Sequence, residues 1–401
     1  MDRAKPTLFC GRTAWHRREA YIVENDMIRL TSLTGGGHLT EFRLRESSGS
    51  SGLNPLWIPS WKTIEPHRYN EKKHALKYGA LVTGRTISGI CGHNLCLDYF
   101  GTPSADEVKQ GLSIHGEAPT LLWHKTRSRV TANQASVELG VGLPIAGLRF
   151  AREITLRRGE PVAYFRETVT NERRHDHYFH WVQHVTLAPP FLTHNDSRIF
   201  VSGKLGRTFP HGYDGKALLE SSRDFRWPHA PAAGGGTVDL SQPFIQSGLG
   251  FVATLLLDPR RQIEFVAALN TQHHLLFGYC FRRRDFPWIA IWEENQARTE
   301  APWNGCCQAR GLEFGSTPFP VGRKESFANG ALFAAPSFST VPARGRTTAG
   351  YVAFLIPVPE AFNEVRDIRL SMGEIQVMGS ASSKRQTLRI PAAGLAQARM
   401  V

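Results

Sequence analysis

The sequence predicts an all-β chain folded as a large antiparallel sandwich. Short runs of alternating apolar and polar residues recur from end to end. Each run is bounded by Gly, Pro, Asn or Asp, and no stretch carries the 3.6-residue period of an amphipathic helix. Strands in unbroken series, without helices between them, favour antiparallel sheets over a βαβ architecture. At 401 residues the chain is long enough for one large domain or two. The continuity of the strand series reads as one domain over 1–401.

In chain order the runs are AYIVENDMIRLTSL (20–33), LRFAREITLRR (148–158), VAYFRETVTN (162–171), HYFHWVQHVTL (177–187), GFVATLLLD (250–258), QIEFVAALN (262–270), WIAIWEEN (288–295), LEFGSTPFP (312–320) and YVAFLIPV (351–358). Three Ser-, Gly- and Pro-rich stretches, 45–70, 101–111 and 221–243, read as long loops. The first holds Trp57, Trp61 and Glu65, residues suited to folding over something. The last residues start as a strand and are expected to fray.

Composition excludes several classes of function. Hydrophobic residues are 41% and charged residues 21%, the balance of a packed globular protein. Net charge is +13, yet the basic residues are dispersed, with Arg282, Arg283 and Arg284 the only block, so nucleic-acid binding is not expected. No apolar run of about 20 residues and no N-terminal signal pattern occurs. Six cysteines are too sparse for a disulfide scaffold, and the expected location is cytoplasmic. Oligomeric state is not readable.

Chemistry concentrates in a few stretches. If 177–187 is a strand, Tyr178, His180, Val182, His184 and Thr186 share one face, and Phe179, Trp181, Gln183, Val185 and Leu187 the other. Pro189 and Pro190 then end the ladder. A histidine beside aromatics in such a strand is more often a hydrogen-bonded structural residue than a catalytic one. Glu313 is a single carboxylate ending the LEF run before a Gly-Ser-Thr-Pro turn. His115 precedes Gly116, which permits close backbone approach. Cys91, His93 and Cys96 lack a C-x₂-C knuckle, and Cys96 would face away from the other two, so no metal or other cofactor is expected. In 285–295 Trp288, Ala290, Trp292 and Glu294 share a face opposite Ile289 and Ile291. The isoleucines read as core, and the tryptophans as a second core layer or a cleft lining. His273 and His274 are weaker candidates for such a lining.

ENDMIRLTSLTGGGHLTEFRL (24–44), GLSIHGEA (111–118), ETVTNERRHDHYFHWVQHVTL (167–187) and RGLEFGSTPFP (310–320) resemble, in the same order, the signature pieces of the galactose mutarotase-like, or aldose 1-epimerase, family. The resemblance spans about Tyr21 to Pro320. It implies a β-supersandwich whose concave face binds a sugar. It also implies His184 as general acid, Glu313 as general base, and His115 with Arg85 as sugar-holding residues, in a divergent branch. Glu117 stands where the family has a second glycine, and no equivalent of its sugar-binding aspartate is found.

The residue types suit that chemistry. Anomer exchange takes a proton from the O1 hydroxyl and gives one to the ring oxygen, so a carboxylate and an imidazolium suffice, each holding the other charged. The expected activity is that of an aldose 1-epimerase. The alternatives are a non-catalytic carbohydrate-binding module on the same fold, or a supersandwich domain of the kind attached to polysaccharide-cleaving enzymes. The arginines motivate the further expectation of an anionic aldose as substrate.

Overall fold

A computed structural model describes residues 8–45 and 52–400. Two antiparallel sheets carry the structure. The larger, of fourteen strands, runs from the hairpin Phe9–Trp15 and Arg18–Glu24 through Ile28–Leu33, Leu39–Leu44, His93–Asp98, His177–Leu187, Gln308–Gly315 and Trp288–Asn295 to Leu249–Leu256 and short edge strands. The smaller, of eight, is ordered Ser197–Val201, Ile263–Asn270, Leu275–Arg282, Arg346–Pro357, Val162–Asn171, Leu148–Arg157, Gln134–Leu143, His124–Val130.

Alternation in the sequence decides which faces meet. Phe179, Trp181, Val185 and Leu187 point into the space between the sheets with Ile289, Ile291, Leu312 and Phe314, and meet Phe165, Phe277, Tyr279 and Tyr351 of the smaller sheet. Phe314 stacks on Phe281 with centroids 4.3 Å apart. Gln183, the polar member of this inward face, is bonded rather than stranded. Its amide donates to Glu167 at 2.6 Å, and Glu167 also accepts from Arg152 at 2.6 Å, Tyr351 at 2.8 Å and Trp181 at 3.1 Å. A buried carboxylate with four donors is compensated for the water it has lost.

A third layer was not expected. Phe362–Ser371, Gly373–Ala381 and Lys384–Ala392 form a separate three-stranded sheet. Its Val365, Ile368, Ile375, Val377 and Ile390 pack on Val162, Phe265, Val352 and Phe354, on the outer face of the smaller sheet. The expectation of a frayed tail is corrected here, because Leu395, Ala398 and Met400 are buried in that layer.

The long loops are also more ordered than their composition suggested. Residues 46–51 of the first lie outside the described residues, but 52–70 runs back along the large sheet, with the Trp57 amide donating to the Thr186 carbonyl at 2.8 Å. The second contains the helix Ala105–Lys109, opened by a capping box between Ser104 and Glu107. The third supplies the edge strands Asp224–Arg226, His229–Pro231 and Thr237–Asp239. Two helices, Glu71–Tyr78 and Leu81–Ile87, follow the first loop. At seven or eight residues they are too short to display a helical period. No helix among the described residues is long and apolar enough to cross a membrane.

Candidate active site

The site lies on the face of the large sheet turned away from the sandwich core. There His177–Leu187 is flanked by His93–Asp98 and Gln308–Gly315. Gln183 stands opposite Phe314 and Thr186 opposite Gly311, a register that sets His184 against Glu313. His184 Nε2 and Glu313 Oε1 are 3.1 Å apart, with side chains only 7% and 3% exposed. Gly311 makes the room for this. A Cβ there would stand 2.1 Å from Glu313 Oε1, inside contact distance.

Other side chains fix the pair's surroundings. His184 Nδ1 meets Thr186 Oγ1 at 3.1 Å, two residues on along the same face. The His115 ring lies 5.0 Å from that of His184, and its Nδ1 donates to the Phe100 carbonyl at 2.8 Å, which leaves Nε2 as a free acceptor. Gly116 follows His115 at φ +82, where a Cβ would come within 2.2 Å of the Leu97 carbonyl, so the close approach requires glycine. Trp292 forms a wall, its ring 6.0 Å from His184 and its indole N–H donating to Tyr213 at 2.9 Å. Trp57 and Trp303, stacked at 6.2 Å, both pack against Trp292. The Arg298 guanidinium lies over Tyr213, Trp292 and Trp303.

The expected ion pair is not the favoured state of this buried arrangement. Burial pushes the Glu313 carboxyl well up, and burial, with His115 adding to it, pushes the His184 imidazole well down. The reason is a shortage of donors. Glu313 Oε1 is buried without a hydrogen-bond partner, whereas a buried carboxylate needs several donors. Both shifts favour the uncharged forms of the two side chains.

No protein-family model matches the chain, and no curated protein matches its sequence. Solved structures do. A galactose mutarotase-like protein from Clostridium acetobutylicum is similar at TM-score 0.58 and 11% identity, covering 88% of this chain and 99% of its own. A provisionally assigned aldose 1-epimerase from Klebsiella pneumoniae is similar at TM-score 0.60 and 14% identity, over 85% of this chain and 80% of its own. This chain has the galactose mutarotase-like fold. A provisionally assigned mutarotase from Salmonella typhimurium also matches, at TM-score 0.55 and 10% identity over 89% of this chain and 96% of its own. At such identities the likeness is one of fold, and the chain is a divergent bearer of it.

On this mutarotase-like fold His184, Glu313, His115 and Trp292 come together, and the other expected site residues do not join them. Arg85 sits on the helix Leu81–Ile87 and spends Nη1 on the Gly111 carbonyl at 3.1 Å. Trp288 is fully buried and donates to the Pro336 carbonyl at 2.8 Å, a packing role. His273 and His274 lie beyond the strand Ile263–Asn270 of the smaller sheet. His180 accepts from the Phe100 amide at 3.2 Å, so its other nitrogen donates to Ser326 at 2.8 Å. Glu117 accepts from the amides of Ile145 and Ala146, which accounts for an acid after His-Gly. Of the cysteine and histidine group, His93 points into the core, 2.9 Å from Gln183.

Four participants are not singled out by the sequence, and a fifth, Trp57, reads there only as part of a loop suited to folding over something. Asn94 is paired directly with His184, and its Oδ1 is buried without a hydrogen-bond partner. The period-2 pattern of HNLCLD could have revealed it, since Asn94 shares a face with Cys96. Tyr213, Trp57, Arg298 and Trp303 arrive on connections between strands, where no periodicity announces a direction.

Proposed function

We propose that this chain is an aldose 1-epimerase, interconverting sugar anomers by acid/base ring opening with His184 and Glu313. The observation that carries the reading is the 3.1 Å separation of His184 Nε2 and Glu313 Oε1 on a sheet face walled by Trp292. The two oxygens that exchange protons in mutarotation are bonded to one carbon, so their partners must lie close together. A sugar between the pair brings hydroxyl donors to Glu313, which supply what the carboxylate lacks and move the proton to His184. Glu313 then takes the O1 proton and His184 delivers one to the ring oxygen. The C1–O5 bond breaks, the aldehyde rotates about C1–C2, and closure reverses both transfers. His115 Nε2 and Asn94 Oδ1 accept from ring hydroxyls, and Trp292 offers a flat apolar surface.

An anionic aldose is not favoured. Arg85 is committed to Gly111, and Arg282 ends a strand of the smaller sheet, with Arg283 and Arg284 in the turn after it, across the sandwich. Arg298, beside the wall, already faces Glu294 at 3.7 Å.

A second reading, a carbohydrate-binding module without turnover, draws on the mutual contact and deep burial of the pair. Polarimetry of freshly dissolved α-anomers of neutral aldoses distinguishes the two. Acceleration over buffer that is lost in Glu313→Gln supports the enzyme, and sugar binding without acceleration supports the module.

A further inference from the structure

A second cleft, of about 440 Å³, lies at the far end of the smaller sheet, and it is lined by Arg261, Arg282, Arg283, Arg284 and Arg399. It shares no residue with the His184–Glu313 site. Three separate segments build it: the turn before Ile263–Asn270, the turn after Leu275–Arg282, and the final turn of the described chain. Five guanidiniums brought together from distant parts of a chain repel one another unless carboxylates or a ligand compensate them.

Carboxylates compensate only two of the five well. Arg282 pairs with Asp285 at 2.7 Å, and Arg261 with Asp367 at 2.8 Å and Glu264 at 3.4 Å. Arg284 has only the already engaged Asp285, at 3.9 Å. Arg283 spends Nε on the Leu257 carbonyl at 3.2 Å and, like Arg399, has no ion pair among the described residues. Arg283, Arg284 and Arg399 thus face one concave space whose nearby carboxylates, Glu264 and Asp285, are already paired with Arg261 and Arg282. We propose that this cleft binds a small ligand carrying two or more phosphate groups. Guanidinium forks match phosphate oxygens bidentately, and a compact polyanion is the ligand that several convergent forks select over a single carboxylate.

Isothermal titration of the full chain with inorganic pyrophosphate, at about 0.15 M salt so that diffuse surface attraction is screened, tests this. Saturable 1:1 binding is expected, weakened at least tenfold in Arg283→Gln/Arg284→Gln/Arg399→Gln. It should be unchanged in His184→Asn and in Lys72→Gln/Arg127→Gln/Arg129→Gln, which removes the same charge from exposed positions elsewhere. Adenosine diphosphate serves as the second arm. Affinity equal to pyrophosphate identifies phosphate as all that is read, and tighter binding identifies a nucleotide. Absence of saturable binding to both ligands, or equal weakening in the two triple variants, overturns the proposal. Thermal melts of each variant confirm that the titrated protein is folded.

Discussion

Replacing Glu313 by glutamine separates the chemistry from the architecture. The amide has almost the volume of the carboxyl group and, like a protonated Glu313, presents a donor towards His184 Nε2 at 3.1 Å. Packing with Gly311 and Ala290 is unchanged, so the folded state should lose less than about 1 kcal/mol, which in a chain of this size moves the melting temperature by ~2 °C or less. Catalysis should suffer far more. An amide cannot accept the O1 proton, and loss of a positioned general base lowers the rate by roughly 10²–10⁴-fold. The assay is the anomerisation rate by polarimetry, with a thermal melt and a sugar titration on the same preparation. His184→Asn should lose activity comparably. Rates within about threefold of wild type in well-folded protein would refute the reasoning and leave the binding-module reading, because so small a loss is not that of a missing general base.

Gly311→Ala should lower turnover while the protein stays folded, because the added methyl displaces Glu313 Oε1; a rate equal to wild type by polarimetry would count against that displacement. Burial raises the Glu264 carboxyl from its ordinary 4.5 to about 7, so the folded state binds its proton more tightly than the unfolded state. Its contribution is therefore fully present below about pH 4.5 and is lost as pH rises to about 7. Glu264→Gln should remove that fall, gaining roughly 3 kcal/mol over wild type in urea melts at pH 8 relative to pH 4. Glu167→Leu strands the fully buried Arg152 and should cost roughly 3–5 kcal/mol in the same melts.

Strand content and the facing of side chains were legible because a strand's period is two, and eleven residues such as HYFHWVQHVTL display it directly. That alternation placed His184 and Thr186 on one face and Trp181 and Val185 on the other before any partner strand was known. It could not say which strands are neighbours. Glu313 lies 129 positions after His184, and only the pairing of Gln183 with Phe314 makes them adjacent. The C-terminal layer escaped for a related reason. Its exposed and buried residues alternate like a fraying edge, and only the outer face of the smaller sheet gives Ile375, Val377 and Ile390 something to cover.

The protonation state of the pair was beyond the sequence altogether. Adjacent acid and imidazole suggest an ion pair, but burial to 3% and 7% exposure reverses the preference by removing water that no protein donor replaces. Arg85 and Trp288 show the same limit from the other side. Their types suit a sugar site, yet a nearby carbonyl, of Gly111 or of Pro336, claims each of them. What the sequence determined by itself was local: which segments are strands, which way each residue points, and which residues could carry proton transfer. What the tertiary structure decided was proximity and solvation, since both depend on segments far apart in the chain that meet only when the sheets close.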